Sequence, residues 1–145
     1  MRTMTLDILT PERRITVERV RSLVLECPDG KRGVLPGHAP AIFELLIGVL
    51  YCKTEDGEER FFAMGGGVAE VTQEKVTLLV HSAEEAHEID VARAQEAARR
   101  AERRLRERKG EVDFARAQAA LLRSLARLRA ASSLKRSPGG VIIPE

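Results

Sequence analysis

The sequence predicts an α+β fold in which an N-terminal antiparallel β-sandwich, residues 1–88, precedes a C-terminal antiparallel two-helix hairpin, 89–135, and a flexible tail, 136–145. Three observations carry this expectation. Apolar residues alternate or cluster in short runs as far as His81, and from Ile89 they recur at helical spacing. Proline and glycine break the first part repeatedly and the helical part only at Gly110. Charge changes sign at the same place: residues 1–89 hold 10 Lys+Arg against 15 Asp+Glu, net −5, and 90–136 hold 14 against 6, net +8. The formal charge of +2 over 145 residues conceals two bodies of opposite sign.

In the first body Thr5–Leu9, Val20–Cys27, Gly48–Lys53, Arg60–Met64, Val68–Thr72 and Lys75–His81 read as strands, being short and rich in Val, Leu, Ile and Phe. Asp56-Gly57 marks the clearest hairpin turn, because glycine tolerates the positive φ that a tight turn needs. Short strands with frequent turns point to a sandwich or flattened barrel, and about 80 residues suffice for one small core. After a linker, 81–88, Asp90 stands where an N-cap belongs, ahead of Val91, Ala94, Ala98, Ala101 and Leu105 at 3-4-3-4 spacing. Lys109-Gly110-Glu111 supplies a stop and a turn. Asp113 is the expected cap of a second helix, with Phe114, Ala117, Leu121, Leu125 and Leu128 along one face. From Ser132 to Gly140 the chain turns rich in Ser, Pro and Gly. A first seam made mostly of alanine buries little apolar area, so the hairpin should open at low cost.

Composition excludes several classes. No run approaches the roughly 20 apolar residues of a membrane-spanning helix. The N-terminus lacks the apolar core and cleavage site of a secretory signal, which points to a cytosolic protein. Cys27 and Cys52 stand far apart with no CxxC or histidine pair, so two buried, reduced thiols are expected and no metal site. His38, His81 and His87 lie in separate contexts without a nucleophile or ligand spacing, and no catalytic residue is assigned.

Gly33-Val34-Leu35-Pro36-Gly37-His38-Ala39-Pro40 resembles the G-I-L-P-G-H-A-P signature of the epsilon subunit of bacterial and chloroplast F-type ATP synthases, the counterpart of the mitochondrial delta subunit. Ile8-Leu9-Thr10-Pro11-Glu12 looks like that family's opening strand and turn, and Gly65-Gly66-Gly67-Val68-Ala69-Glu70-Val71 is similar to its G-G-F-x-E-V element. The similarity reaches to about Ala131. It implies a non-catalytic rotor subunit, peripheral on the cytoplasmic face of the bacterial membrane, whose sandwich couples the γ subunit to the c ring. Its basic hairpin, once extended, would meet acidic loops of the α and β subunits of the catalytic head and inhibit ATP hydrolysis. Lys31, Arg32, His38 and Gly66 would face partners. Where the family usually has Gly-Glu-Leu-Gly, this chain has Gly30-Lys31-Arg32-Gly33, replacing an acid and an apolar residue by two cations and altering charge complementarity at that loop. Pro36 and Pro40 stiffen the loop around Gly37 and fix the place of His38, whose plainer role would be a backbone hydrogen bond.

Ile89-Asp90-Val91-Ala92-Arg93-Ala94 resembles the I/L-D-x-x-R-A motif with which several bacterial epsilon subunits bind ATP. The resemblance extends to Glu84, Arg100, Arg123 and Arg127, giving a regulatory ATP site of Glu84, Asp90, Arg93, Arg100, Arg123 and Arg127, with no prosthetic group. Spacing alone places Arg93 with Arg100, and Arg123 with Arg127, on shared helix faces. Guanidiniums drawn together repel, and a polyphosphate relieves that repulsion through charge-assisted hydrogen bonds. No Lys-Ser/Thr follows the glycines, so binding without hydrolysis is expected. The alternative is a nucleic-acid-binding module with a small β-barrel and an Arg-rich arm. It is disfavoured by 3% aromatic residues, since single-strand binding generally needs stacking platforms.

Overall fold

The computed structural model describes residues 2–107 and 110–136, so Lys109 and 137–145, most of the expected tail, lie outside the described residues. Seven strands come first: β1 (Met4–Leu9), β2 (Arg14–Cys27), β3 (Gly30–Val34), β4 (Ala41–Thr54), β5 (Glu59–Val71), β6 (Lys75–Val80) and β7 (Ala83–Glu85). A 3-10 turn (Ala86–Glu88) leads to helices α1 (Val91–Glu107) and α2 (Glu111–Arg136). The expected sandwich followed by a helical hairpin is the observed fold.

The strands run in the order β1-β6-β5-β4-β2-β3, and β1 also pairs with β2, which closes the sheet into a flattened barrel. Neighbours are antiparallel except β1 and β6, which lie parallel. Leu6, Ile8, Leu23, Leu25, Leu50, Phe62, Val76 and Leu78 fill the interior. The alternation within β1 and β6 follows from the two-residue strand period.

β4 and β5 are long because each continues through glycines that read as strand ends in the sequence. On β5 the interior is faced by Phe62 and Met64, and then by Ala69 and Val71, so the side facing inward changes across Gly65–Gly67. On β4 it changes between Leu45 and Leu50. Gly66 (φ +90°) and Gly67 (φ +154°) permit the change, and a Cβ on Gly67 would stand 2.0 Å from the Leu79 carbonyl oxygen. This is the close backbone approach that a glycine inside a strand often marks.

The ribbon therefore presents two different outer faces. Around Ile42, Leu46 and Val68, with Leu79 of β6, it exposes apolar side chains interleaved with Glu44 and Glu70. Around Val49, Tyr51, Phe61 and Ala63 it is covered by Ala126 and Ala130 of α2.

Asp90 caps α1, its Oδ1 accepting from the Arg93 amide at 3.1 Å. Ala94, Ala98 and Ala101 form the buried seam of α1. Helix α2 departs from expectation in three ways. It begins at Glu111, so Asp113 lies in its first turn. It runs through Ser132 and Ser133 to Arg136, with Ser133 buried. Its buried face comprises Ala117, Ser124, Ala126, Ala130 and Ala131, while Phe114, Leu122 and Leu125 are exposed. Small residues let α2 approach both α1 and the sheet closely; of the expected face Ala117 is buried, Leu121 and Leu128 are half-buried, and Phe114 and Leu125 are left outside.

Candidate functional site

The segment joining the two bodies is held to the sandwich. β7 pairs with Phe62–Met64 of β5. Glu85 accepts two hydrogen bonds from Arg60, at 2.9 and 2.7 Å. Arg13, from the β1–β2 turn, donates to the Ala83 carbonyl at 2.7 Å and to both oxygens of Glu88 at 3.3 Å. That pairing holds the Glu88 carboxyl below its ordinary value, and Glu88 also accepts from the Glu85 amide to cap the 3-10 turn.

Above this segment a cleft of about 500 Å³ separates the sandwich from the hairpin. Arg13, Ala63, Met64, Ser82, Ala83, Glu84 and Glu88 form its sandwich wall, and Ala97, Ala120, Arg123, Ser124 and Arg127 its hairpin wall. Three guanidiniums thus meet two carboxylates beside a small apolar surface. Its volume falls within the range of small-molecule sites. Among the described residues no group of His, Cys, Asp and Glu is placed to hold a metal ion.

Of the six expected ligand residues, Glu84, Arg123 and Arg127 line this cleft. Arg127 donates from Nε to Glu84 Oε1 at 2.8 Å, which fixes both side chains without ligand. Asp90 serves as the cap of α1 and does not line the cleft. Arg93 and Arg100 are exposed, with Arg100 near Glu96 at 3.9 Å. They lie one turn and nearly one turn from Ala97 along the helix, and neither lines the cleft. Arg13 and Glu88 were not singled out from the sequence, because they join the site only through the fold.

The expected partner-facing residues fall in separate places. Arg32 donates to Asp29 at 2.8 Å and lies over the Phe43 ring, 4.4 Å from its centroid. His38 meets the same ring edge-on at 5.9 Å, and its Nδ1 is 2.6 Å from the Ala39 carbonyl oxygen. Lys31 is exposed on β3 next to Arg32, but strand alternation points it to the opposite face, where its register partner is Glu26. Gly66 lies in the β5 crossover, between Gly65 and Gly67, which pair with Ile47 and Leu45 of β4.

Residues 3–86 match the family model of the ATP synthase delta/epsilon chain beta-sandwich domain, and residues 87–132 that of the long alpha-helix domain. An ATP synthase epsilon chain from Pelotomaculum thermopropionicum is 47% identical over 104 residues, covering 72% of this chain and 77% of the relative. One from Symbiobacterium thermophilum is 47% identical over 110 residues, covering 75% and 78%. A chain of the Euglena gracilis mitochondrial ATP synthase, solved with OSCP, F1 and c-ring, superposes with a TM-score of 0.78 at 23% identity, covering 91% of this chain and 82% of that one. This last likeness is one of fold.

Proposed function

This chain belongs to the ATP synthase delta/epsilon chain family, and from that premise we propose that it is a non-catalytic, central-stalk subunit of an F-type ATP synthase. Its sandwich couples γ to the c ring at the periphery of the membrane. Its hairpin inhibits ATP hydrolysis when it leaves the sandwich and reaches the acidic loops of the α and β subunits. ATP, bound in the cleft as a regulatory ligand, holds the hairpin down.

The observation that carries this reading is what α2 buries and what it leaves out. It rests on the sheet through Ala126 and Ala130, while Phe114, Leu122 and Leu125 remain exposed. A helix docked through alanines gains little from burial, and leucines left in water are available to a second surface. The γ subunit fits the bare face of Ile42, Leu46, Val68 and Leu79, and the c ring the end carrying Arg32 and His38. No helix among the described residues is long and apolar enough to cross a membrane, in keeping with attachment through partners. The comparisons lend the nucleic-acid alternative no support.

For ATP, the cleft offers Arg123, Arg127 and Arg13 to phosphates. Because ATP would bind the docked hairpin in preference to the released one, it would shift the population by that difference in affinity. The test is ATP hydrolysis by the reconstituted complex, with the full chain or with residues 1–88, across a range of ATP concentrations. Inhibition should require the hairpin and weaken as ATP rises. Equal hydrolysis with both forms would leave only the coupling role.

A further inference from the structure

Helix α2 is gripped on two flanks, and only one belongs to the cleft. At 100° per residue, Arg127 and Arg129 lie about 80° either side of the mean direction of Ala126 and Ala130, which face the sheet. Beneath them the strands run in the order β7, β5, β4, β2. The two outer strands each raise one glutamate: Glu84 from β7 meets Arg127, and Glu26 from β2 meets Arg129.

The second grip is the more elaborate. Arg129 donates from Nη1 to Glu26 Oε2 and from Nη2 to Glu26 Oε1, both at 3.2 Å, a two-pronged charge-assisted pair. Glu26 Oε2 also accepts from the Val49 amide at 2.8 Å, which anchors the carboxylate to the backbone of β4. The Glu26 side chain is 17% exposed and that of Arg129 36%, so solvent screens the pair in part. Gly48 leaves room for it, since a Cβ there would stand 2.8 Å from the Glu26 carboxylate. Neither Glu26 nor Arg129 lines the cleft.

We propose that Gly48, Glu26 and Arg129 form a latch that sets how tightly the hairpin is held on the sandwich, independently of any ligand in the cleft. The proposal rests on the reading that the hairpin leaves the sandwich. Glu26 and Arg129 are positioning residues: they touch no ligand and act by fixing α2. Gly48 supplies a variant that separates latch from fold. In Gly48→Ala the new methyl meets the far end of a flexible side chain, so Glu26 swings away from Arg129 and from the Val49 amide, and the barrel loses that one hydrogen bond.

The experiment uses the full chain with dyes on cysteines introduced at exposed Glu55 and Arg116, and reads the open-to-closed ratio by single-molecule energy transfer. Glu26→Gln and Arg129→Gln should each raise that ratio roughly tenfold or more, as expected for loss of a charged hydrogen bond. The double variant should fall short of the sum of the two single ones, and Gly48→Ala should move in the same direction while the barrel still unfolds cooperatively. Saturating ATP should leave the fold-change for Arg129→Gln unaltered. Ala126→Glu, which puts a carboxylate against Tyr51 and Phe61, is the control for opening. If it opens the hairpin while the Gln variants do not, or if their effects add, the latch is refuted and the mobile hairpin stands. A fall in ATP affinity in Arg129→Gln larger than the measured change in open-to-closed ratio would also overturn it, by placing Arg129 in the ligand site. A control that stays closed would refute both the mobile hairpin and the latch.

Discussion

Arg127 and Glu84, 43 residues apart, meet at 2.8 Å across the boundary between hairpin and sandwich. The proposed ATP site is therefore assembled only when the hairpin is docked, and a guanidinium intended for phosphate already has a carboxylate to orient it. Arg127→Ala should lower ATP affinity by about 1.5–3 kcal/mol, the usual range for a hydrogen bond to a charged group. Residues 89–136 as an isolated peptide should bind no ATP at concentrations that saturate the full chain. Calorimetry checks both. Full affinity in the variant would move the site out of this cleft.

Gly67 should be the least replaceable glycine. Its φ of +154° disfavours any other residue, and a Cβ would lie 2.0 Å from the Leu79 oxygen, backbone that cannot swing aside. Gly67→Ala should destabilise the barrel by about 2–4 kcal/mol, the range of core overpacking combined with backbone strain. Gly57, in the β4–β5 turn at φ +89°, has nothing within 4 Å of its Cβ position. There the same change should cost about 1–2 kcal/mol, from conformation alone. Urea unfolding of the two variants gives the comparison.

Asp7 predicts the acid limb of stability. Its carboxyl accepts from the Thr16 hydroxyl at 2.7 Å and from Arg14 at 2.9 Å, with Lys75 at 3.1 Å. These partners, Thr16 first, bring its pKa from 3.8 to about 2. Because the folded value lies below the unfolded one, the stabilisation is complete above roughly pH 4 or 5 and is lost as pH falls toward 2. Asp7→Asn should be less stable near neutrality and should flatten the decline between about pH 4 and 2. Unfolding midpoints measured from pH 6 to 2 test this, and parallel acid limbs in the two proteins would assign the effect elsewhere.

The two bodies, the cap at Asp90 and the turn at Asp56-Gly57 were legible because each depends on local chemistry: period, charge and the geometry of one or two residues. β3 was not, since Gly30–Val34 is glycine-rich and charged, and only Val34 is buried. β7 was read as linker because its two glutamates look solvated, although Arg60 and Arg127 hold them. Phe114 and Leu125 of α2 misled for a different reason. Periodicity reveals that a face is apolar, but not which face two neighbouring bodies choose when close approach favours alanine. Half of the expected ATP residues line the cleft. Arg13, Glu26 and Arg129 could not be associated with it or with the docked helix from sequence, because their partners lie 70 residues or more away in the chain.

The barrel should stand without the hairpin. Its interior cluster draws only on residues between Met4 and Ala83, and closure through the β1–β2 and β1–β6 pairings also needs nothing from either helix. What the hairpin protects is a patch outside that core, Val49, Tyr51, Phe61 and Ala63. Residues 1–88 should therefore fold cooperatively and copurify with γ, but expose this patch and bind an apolar dye more strongly than the full chain. Leu79→Asp should abolish copurification while leaving the fold intact, because Leu79 is 54% exposed on the bare face. Retention of γ by Leu79→Asp would place the contact on another surface, and a truncated chain without a cooperative transition would make the docked α2 part of the barrel's own stability.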